Sequence, residues 1–65
     1  MNQDKLRKDF ENALITAKSN GKTQFGIVIE VGFSKVTFDK FRAGGKVNDF
    51  TAQKIQNWIE KEGGE

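Results

Sequence analysis

The chain has 65 residues, contains neither cysteine nor histidine, and carries a formal net charge of +2 at pH 7. A domain this short buries only about 60% of the surface that its unfolded chain exposes, which argues against a large internal pocket. The chain has no disulfide and no cysteine or histidine ligands for a structural zinc. Its core must therefore come from apolar side chains, chiefly the six Phe and the single Trp.

The charge is distributed unevenly along the chain. Residues 18–46 contain six basic and two acidic side chains, which leaves a net +4, whereas residues 47–65 carry a net −2 and residues 1–17 are neutral. A local basic surface favours a polyanionic partner, and an ordinary solvated face is the alternative.

The first residues lack the apolar stretch of a signal peptide, and no apolar run approaches the roughly 20 residues of a membrane span. We therefore expect a cytoplasmic protein with no membrane partner.

The first segment predicts a helix from Gln3 to Ser19, which Asn20 and Gly21 end by supplying left-handed conformations. Its apolar residues recur at steps of three and four and so share one helix face: Leu6, Phe10, Ala13, Leu14 and Ala17.

The second segment, Thr23 to Val31, fits two structures. Four of its residues alternate as they would on a strand: Phe25, Ile27, Ile29 and Val31. A helical stripe is formed instead by a partly different set: Ile27, Val28 and Val31. Both a helix and the first strand of a β-hairpin remain open here.

The third segment predicts a helix from Ser34 to Ala43. Phe38 and Phe41 are three residues apart, which places both rings on one face of a helix but on opposite faces of a strand. Ser34 is a good N-cap residue, and the two glycines that follow Ala43 end the helix.

A last helix is predicted to begin at Asn48 or Asp49 and to end near Glu62. Its apolar residues recur at helical spacing: Ala52, Ile55, Trp58 and Ile59. Trp58 shares its face with two isoleucines, so it is expected in the core.

The two middle helices would be joined by a short turn at Gly32 and Phe33, with Gly32 at positive φ, which is a helix-turn-helix arrangement. Residues 23–44 resemble the helix-turn-helix of phage Cro proteins and lambda-repressor-like regulators, and the resemblance continues through Val47 to Ile59. The positions that carry it are Gln24, Val28, Gly32, Phe33, Phe38 and Phe41. The sequence departs from the family at Val28, where a small residue is usual, and in its aromatics at positions 33, 38 and 41.

The resemblance implies an all-α, lambda-repressor-like domain of four to five helices, with residues 34–43 as the recognition helix in the major groove. It also implies that the first motif helix touches the phosphate backbone. The residues predicted to contact DNA are Lys22, Gln24, Ser34, Lys35, Val36, Thr37, Asp39, Lys40 and Lys46.

Lys35 and Lys40 suit guanine O6 and N7, Val36 suits a thymine methyl and Asp39 suits cytosine N4. The alternative roles are a helix cap and first-turn residue for Ser34 and Thr37, and ordinary solvated side chains for the two lysines.

The leading hypothesis is a Cro-like repressor that binds an operator in double-stranded DNA as a homodimer, since a chain of this length leaves no room for a ligand-binding domain. The surface joining the copies is expected around Trp58, Ile59 and the tail. No cofactor, metal or small-molecule substrate is expected. An enzyme is not expected either, because the chain lacks histidine, the usual general base, and cysteine, the thiol nucleophile.

Two alternatives remain. One is a DNA-architectural or recombination-directionality factor. The other is a protein-interaction module with a central β-hairpin, in which Phe25 to Val31 would pair with Lys35 to Phe41.

Overall fold

A computed structural model of the chain describes residues 3–63, and this part of the chain is all-α. Its four helices are α1 (Gln3–Ser19), α2 (Gln24–Val31), α3 (Lys35–Arg42) and α4 (Asp49–Gly63). The all-α prediction is confirmed. The β-hairpin alternative is wrong, because both of its proposed strands are helices.

Local capping and burial explain why the ambiguous second segment is a helix. The hydroxyl of Thr23 accepts a hydrogen bond from the N–H of Gly26 at 3.1 Å, which caps α2. The helical stripe of Ile27, Val28 and Val31 is buried. Phe25 and Ile29, which completed the strand-like alternation, point into solvent and are 75% and 62% exposed.

A three-residue turn connects α2 to α3. Gly32 has φ of +92°, a left-handed conformation that strains other residues, and its N–H donates to the carbonyl of Val28 at 3.0 Å. Ser34 then caps α3 by accepting a hydrogen bond from the N–H of Thr37 at 3.1 Å. The predicted turn at Gly32 and the predicted cap at Ser34 are both confirmed.

The core is organised around the ring of Phe10 on α1. Four aromatic rings meet it edge-on, with centroid distances of 6.1 Å to Phe33, 5.8 Å to Phe38, 5.8 Å to Phe41 and 5.5 Å to Trp58. These rings come from the turn after α2, from α3 and from α4, so a single side chain ties α1 to three other parts of the chain.

None of the helices within residues 3–63 combines the length and the hydrophobicity that a membrane span requires.

The end of α3 is fixed to α1 by Arg7. Its guanidinium donates to the carbonyls of Phe41 and Gly45, each at 2.6 Å, and lies 4.9 Å from the centre of the Phe41 ring. Gly45 also donates its N–H to the carbonyl of Lys40 at 2.7 Å. A Cβ at position 45 would lie 2.9 Å from that carbonyl oxygen, so this tight closure requires glycine.

We predict that Phe10→Ala lowers the free energy of unfolding by about 3–5 kcal/mol, because it leaves a cavity among four rings. Small domains have total stabilities of only about 5–15 kcal/mol, so the variant should be largely or wholly unfolded in mild urea. Urea titration followed by circular dichroism measures this.

The matched control is Ile15→Ala, since Ile15 is 66% exposed on α1. It should change stability by no more than about 0.5 kcal/mol. Equal losses in the two variants would show that the ring cluster is not the centre of the core.

Candidate nucleic-acid interface

Helix α3 has one buried and one exposed face. Phe38 and Phe41 are fully buried, whereas the outward face presents four predicted DNA-contacting residues to solvent: Lys35, Val36, Asp39 and Lys40. Val36 is 64% exposed despite its apolar side chain. The outward face of α3 is therefore exposed to solvent along its whole length.

The charged residues of α3 differ in how they are paired. Lys35 donates to the carboxylate of Asp39 at 2.8 Å, and both side chains are well exposed. Arg42 is drawn toward α1 by Glu11 at 2.7 Å, an ion pair that raises the pKa of its guanidinium. Lys40 has no carboxylate partner among residues 3–63.

Ser34 and Thr37 form the cap of α3. In addition to accepting from the N–H of Thr37, the Ser34 hydroxyl donates to the Thr37 hydroxyl oxygen at 3.0 Å. Ser34 and Thr37 therefore do serve as the helix cap and first-turn residue, the alternative roles that the sequence suggested for them. The Thr37 hydroxyl keeps its own proton available to a further acceptor.

A cleft of about 250 Å³ lies between α3, the loop that follows it and the start of α4. We call it the α3–α4 cleft. It is lined by Thr37, Lys40, Lys46, Val47, Asn48 and Thr51. Lys46, like Lys40, makes no ion pair with the described part of the chain, so two unneutralised ammonium groups line one cleft beside two hydroxyls.

Two residues that line the α3–α4 cleft, Val47 and Asn48, make hydrogen bonds that fix their positions. The side-chain amide of Gln3 donates to the carbonyl of Val47 at 2.8 Å and accepts from its N–H at 3.0 Å. Asn48 accepts from the N–H of Thr51 at 2.8 Å, which confirms Asn48 as the cap of α4. The sequence did not single out Thr51, which only the fold brings beside the two lysines.

Lys22 lies among carboxylates. Its ammonium group contacts Glu62 at 2.5 Å and Glu30 at 3.0 Å, and these hydrogen bonds raise its pKa. Its charge is therefore already neutralised, which favours a structural role over the predicted phosphate contact. Gln24 is half-buried in the first turn of α2, and its amide has no hydrogen-bond partner among residues 3–63.

Trp58 lies in the core, as predicted, with 4% of its surface exposed. Its indole N–H donates to the carboxylate of Glu30 at 3.0 Å. This bond, followed by the one from Lys22, lowers the pKa of Glu30. The dimer surface predicted around Trp58, Ile59 and the tail stays a prediction, and the Trp58 ring itself is covered by the chain. Ile59 is half-buried, and the tail beyond Gly63 lies outside the described residues.

Comparison of the chain with protein-family models, with curated proteins and with solved structures finds no match in any of the three. The function is therefore inferred from the geometry and charge of the chain itself.

The Glu30 pairing predicts a pH dependence of stability. Folding lowers the pKa of Glu30 from its ordinary value of 4.5, so its carboxylate stabilises the fold above that value, and the stabilisation is lost as the pH falls through the lower folded pKa. We expect Glu30→Gln to be less stable than the parent at neutral pH and the difference in stability between the two proteins to narrow as the pH falls below 4.5.

Thermal unfolding midpoints measured across that range test the prediction. Glu60→Gln is the control, since Glu60 is exposed on α4 and, among residues 3–63, accepts a side-chain hydrogen bond only from Gln56. A Glu30→Gln gap that stays constant across the whole pH range would contradict the assignment.

Proposed function

We propose that this chain is a sequence-specific double-stranded DNA-binding protein that reads the major groove with α3. The observation that carries the proposal is the outward face of α3, which is exposed, basic at Lys35 and Lys40, and backed by a buried aromatic face. A helix of about 10–12 Å diameter fits the major groove, which is about 12 Å wide.

The outward face of α3 offers the groups that base edges require. Lys35 and Lys40 donate to guanine O6 and N7, Val36 packs on a thymine methyl, and Asp39 accepts from cytosine N4. When DNA binds, the ion pair between Lys35 and Asp39 either breaks or is shared with a base edge. Exposed pairs of this kind contribute at most about 1 kcal/mol, so this is a small cost.

The α3–α4 cleft supplies the phosphate contacts. A phosphate oxygen seated there accepts from Lys46 and from the hydroxyls of Thr37 and Thr51, beside Lys40. Gln24 of α2 makes a second contact with the phosphate backbone of the DNA. Lys22 makes no phosphate contact in this proposal, because two carboxylates already neutralise its ammonium group.

We further propose a cytoplasmic, Cro-like repressor that acts by occupying an operator. It works as a two-fold dimer on DNA, because one recognition helix reads too few base pairs to single out a site in a genome.

Mutation of Lys35 and Lys40 tests base reading. We expect Lys35→Ala and Lys40→Ala each to weaken binding to a sequence selected from random duplex by about 1–3 kcal/mol, while Lys61→Ala, on exposed α4 surface, has little effect. Fluorescence anisotropy with the selected duplex measures this. Equal losses at all three positions would mean that charge alone explains binding.

Salt dependence tests the phosphate contacts. We expect affinity to fall log-linearly with salt, and Lys46→Ala to reduce the slope by about 0.9, uniformly across sequences, because one fewer phosphate is neutralised. Lys61→Ala should leave the slope unchanged. Absence of detectable binding to any duplex at low salt would overturn the proposed function.

A further inference from the structure

The charged pair on the outward face of α3 is not placed where it would best stabilise the helix. Lys35 is the first residue of α3, and Asp39 lies in the second half of this eight-residue helix. The helix dipole disfavours a cation in the first turn, and the first turn of α3 has no acidic residue to offset Lys35. At this spacing, an acidic residue before a basic one would also be the more stabilising order. Helix stability therefore does not explain the placement of the pair.

The two side chains are held together but keep free hydrogen-bonding groups. The Lys35 ammonium group donates to Oδ2 of Asp39 at 2.8 Å, and the two side chains are 73% and 54% exposed. An ammonium group has three protons, so two of them remain for other acceptors. The Oδ1 atom of Asp39 accepts no hydrogen bond from residues 3–63. The pair therefore presents two donors and one acceptor side by side.

This set of groups matches the edge of one guanine–cytosine pair. In the major groove that edge carries two acceptors, N7 and O6 of guanine, and one donor, the N4 amino group of cytosine. Within the base pair, N4 donates to O6 at the usual hydrogen-bond distance of about 2.9 Å. The distance between the Lys35 and Asp39 groups, 2.8 Å, is nearly the same, so the two side chains can face the two bases at once.

Resting on the proposed function, we propose that Lys35 and Asp39 read one guanine–cytosine pair as a unit, with their ion pair kept intact. Lys35 donates to N7 and O6 of guanine, while the free oxygen of Asp39 accepts from N4 of the paired cytosine. The two residues thereby specify both the base pair and the strand that carries guanine.

Asp39 supplies the discrimination against other base pairs. If the guanine–cytosine pair is turned over, the carboxylate faces guanine O6 and N7, which repel it, and Lys35 faces an amino group. A thymine–adenine pair matches only in part. Its O4 and N6 atoms satisfy the two side chains, but the thymine methyl lies on the side where guanine offers N7.

Exchange of the two side chains tests the proposal. The Lys35→Asp, Asp39→Lys double variant keeps the net charge and reverses the order of donors and acceptor. Site selection from random duplex should therefore return the parental site with one base pair turned over, so that guanine moves to the opposite strand. We expect the variant to bind this altered site about tenfold or more tightly than the parental site.

The exchange should leave the fold intact, because it puts the acidic residue four places before the basic one, which is the better order on a helix. Thermal unfolding followed by circular dichroism checks this. The single variant Asp39→Asn removes the carboxylate charge without reversing the pair. Its preference for one orientation of the guanine–cytosine pair should fall about fivefold or more.

The matched control is the same exchange on α1. Lys5 and Asp9 form an exposed ion pair with the same order and spacing, at 3.0 Å, and the proposed binding mode gives them no contact with DNA. The Lys5→Asp, Asp9→Lys double variant should select the parental site unchanged.

The selections also separate failure of this reading from failure of the proposed function. If the parent selects no site from random duplex, the proposed function fails. If the parent selects a site but the α3 exchange leaves guanine on its original strand, or makes all four base pairs equally acceptable there, the joint role of Lys35 and Asp39 is overturned while the proposed function stands.

Discussion

The edge-on contacts of four rings with Phe10 are the constraint on which the rest of the fold depends. Each such aromatic pair adds about 0.5–1.5 kcal/mol beyond the burial of its surface. With neither cysteine nor histidine in the chain, no disulfide or zinc site can replace these contacts. Because the rings of Phe33, Phe38 and Phe41 belong to the turn and to α3, the same contacts that stabilise the fold also set the position of α3.

Two cationic side chains, one from α1 and one from α4, complete the positioning of α3. Lys54 of α4 donates to the carbonyl of Gly32 at 3.1 Å, before α3 begins, and Arg7 of α1 donates to Phe41 and Gly45, where α3 ends. Both ends of α3 are therefore fixed by side chains from other helices. Every buried side-chain polar atom in residues 3–63 also has a hydrogen-bond partner. A helix held in this way is preorganised, which lowers the entropic cost of the proposed DNA binding.

Much of the fold could be predicted from local patterns. The stripe of α1 and its glycine stop predicted Gln3–Ser19, which agrees with the structure, and the spacing of Phe38 and Phe41 identified α3. Residues 23–31 stayed ambiguous because helical and alternating patterns coincide there. The choice depended on which residues the other helices cover, and a single segment does not contain that information.

The polar contacts were less predictable for the same reason. Lys22 meets Glu62 across 40 positions of sequence, and no spacing rule relates the two. The burial of Trp58 followed from its helical face, but its bond to Glu30 did not. Likewise, the exposed face of α3 was predicted residue by residue, whereas the α3–α4 cleft exists only because the loop folds back to bring Lys46 and Thr51 beside Lys40.

The division of α3 into two faces has an evolutionary consequence. The inward rings maintain the fold, while Lys35, Val36, Asp39 and Lys40 contribute almost nothing to the core. Replacements at such exposed positions usually alter stability by no more than about 0.5 kcal/mol. The outward residues can therefore diverge rapidly between descendants of this chain while the architecture persists, so that one inherited fold acquires many different preferences through a few surface changes.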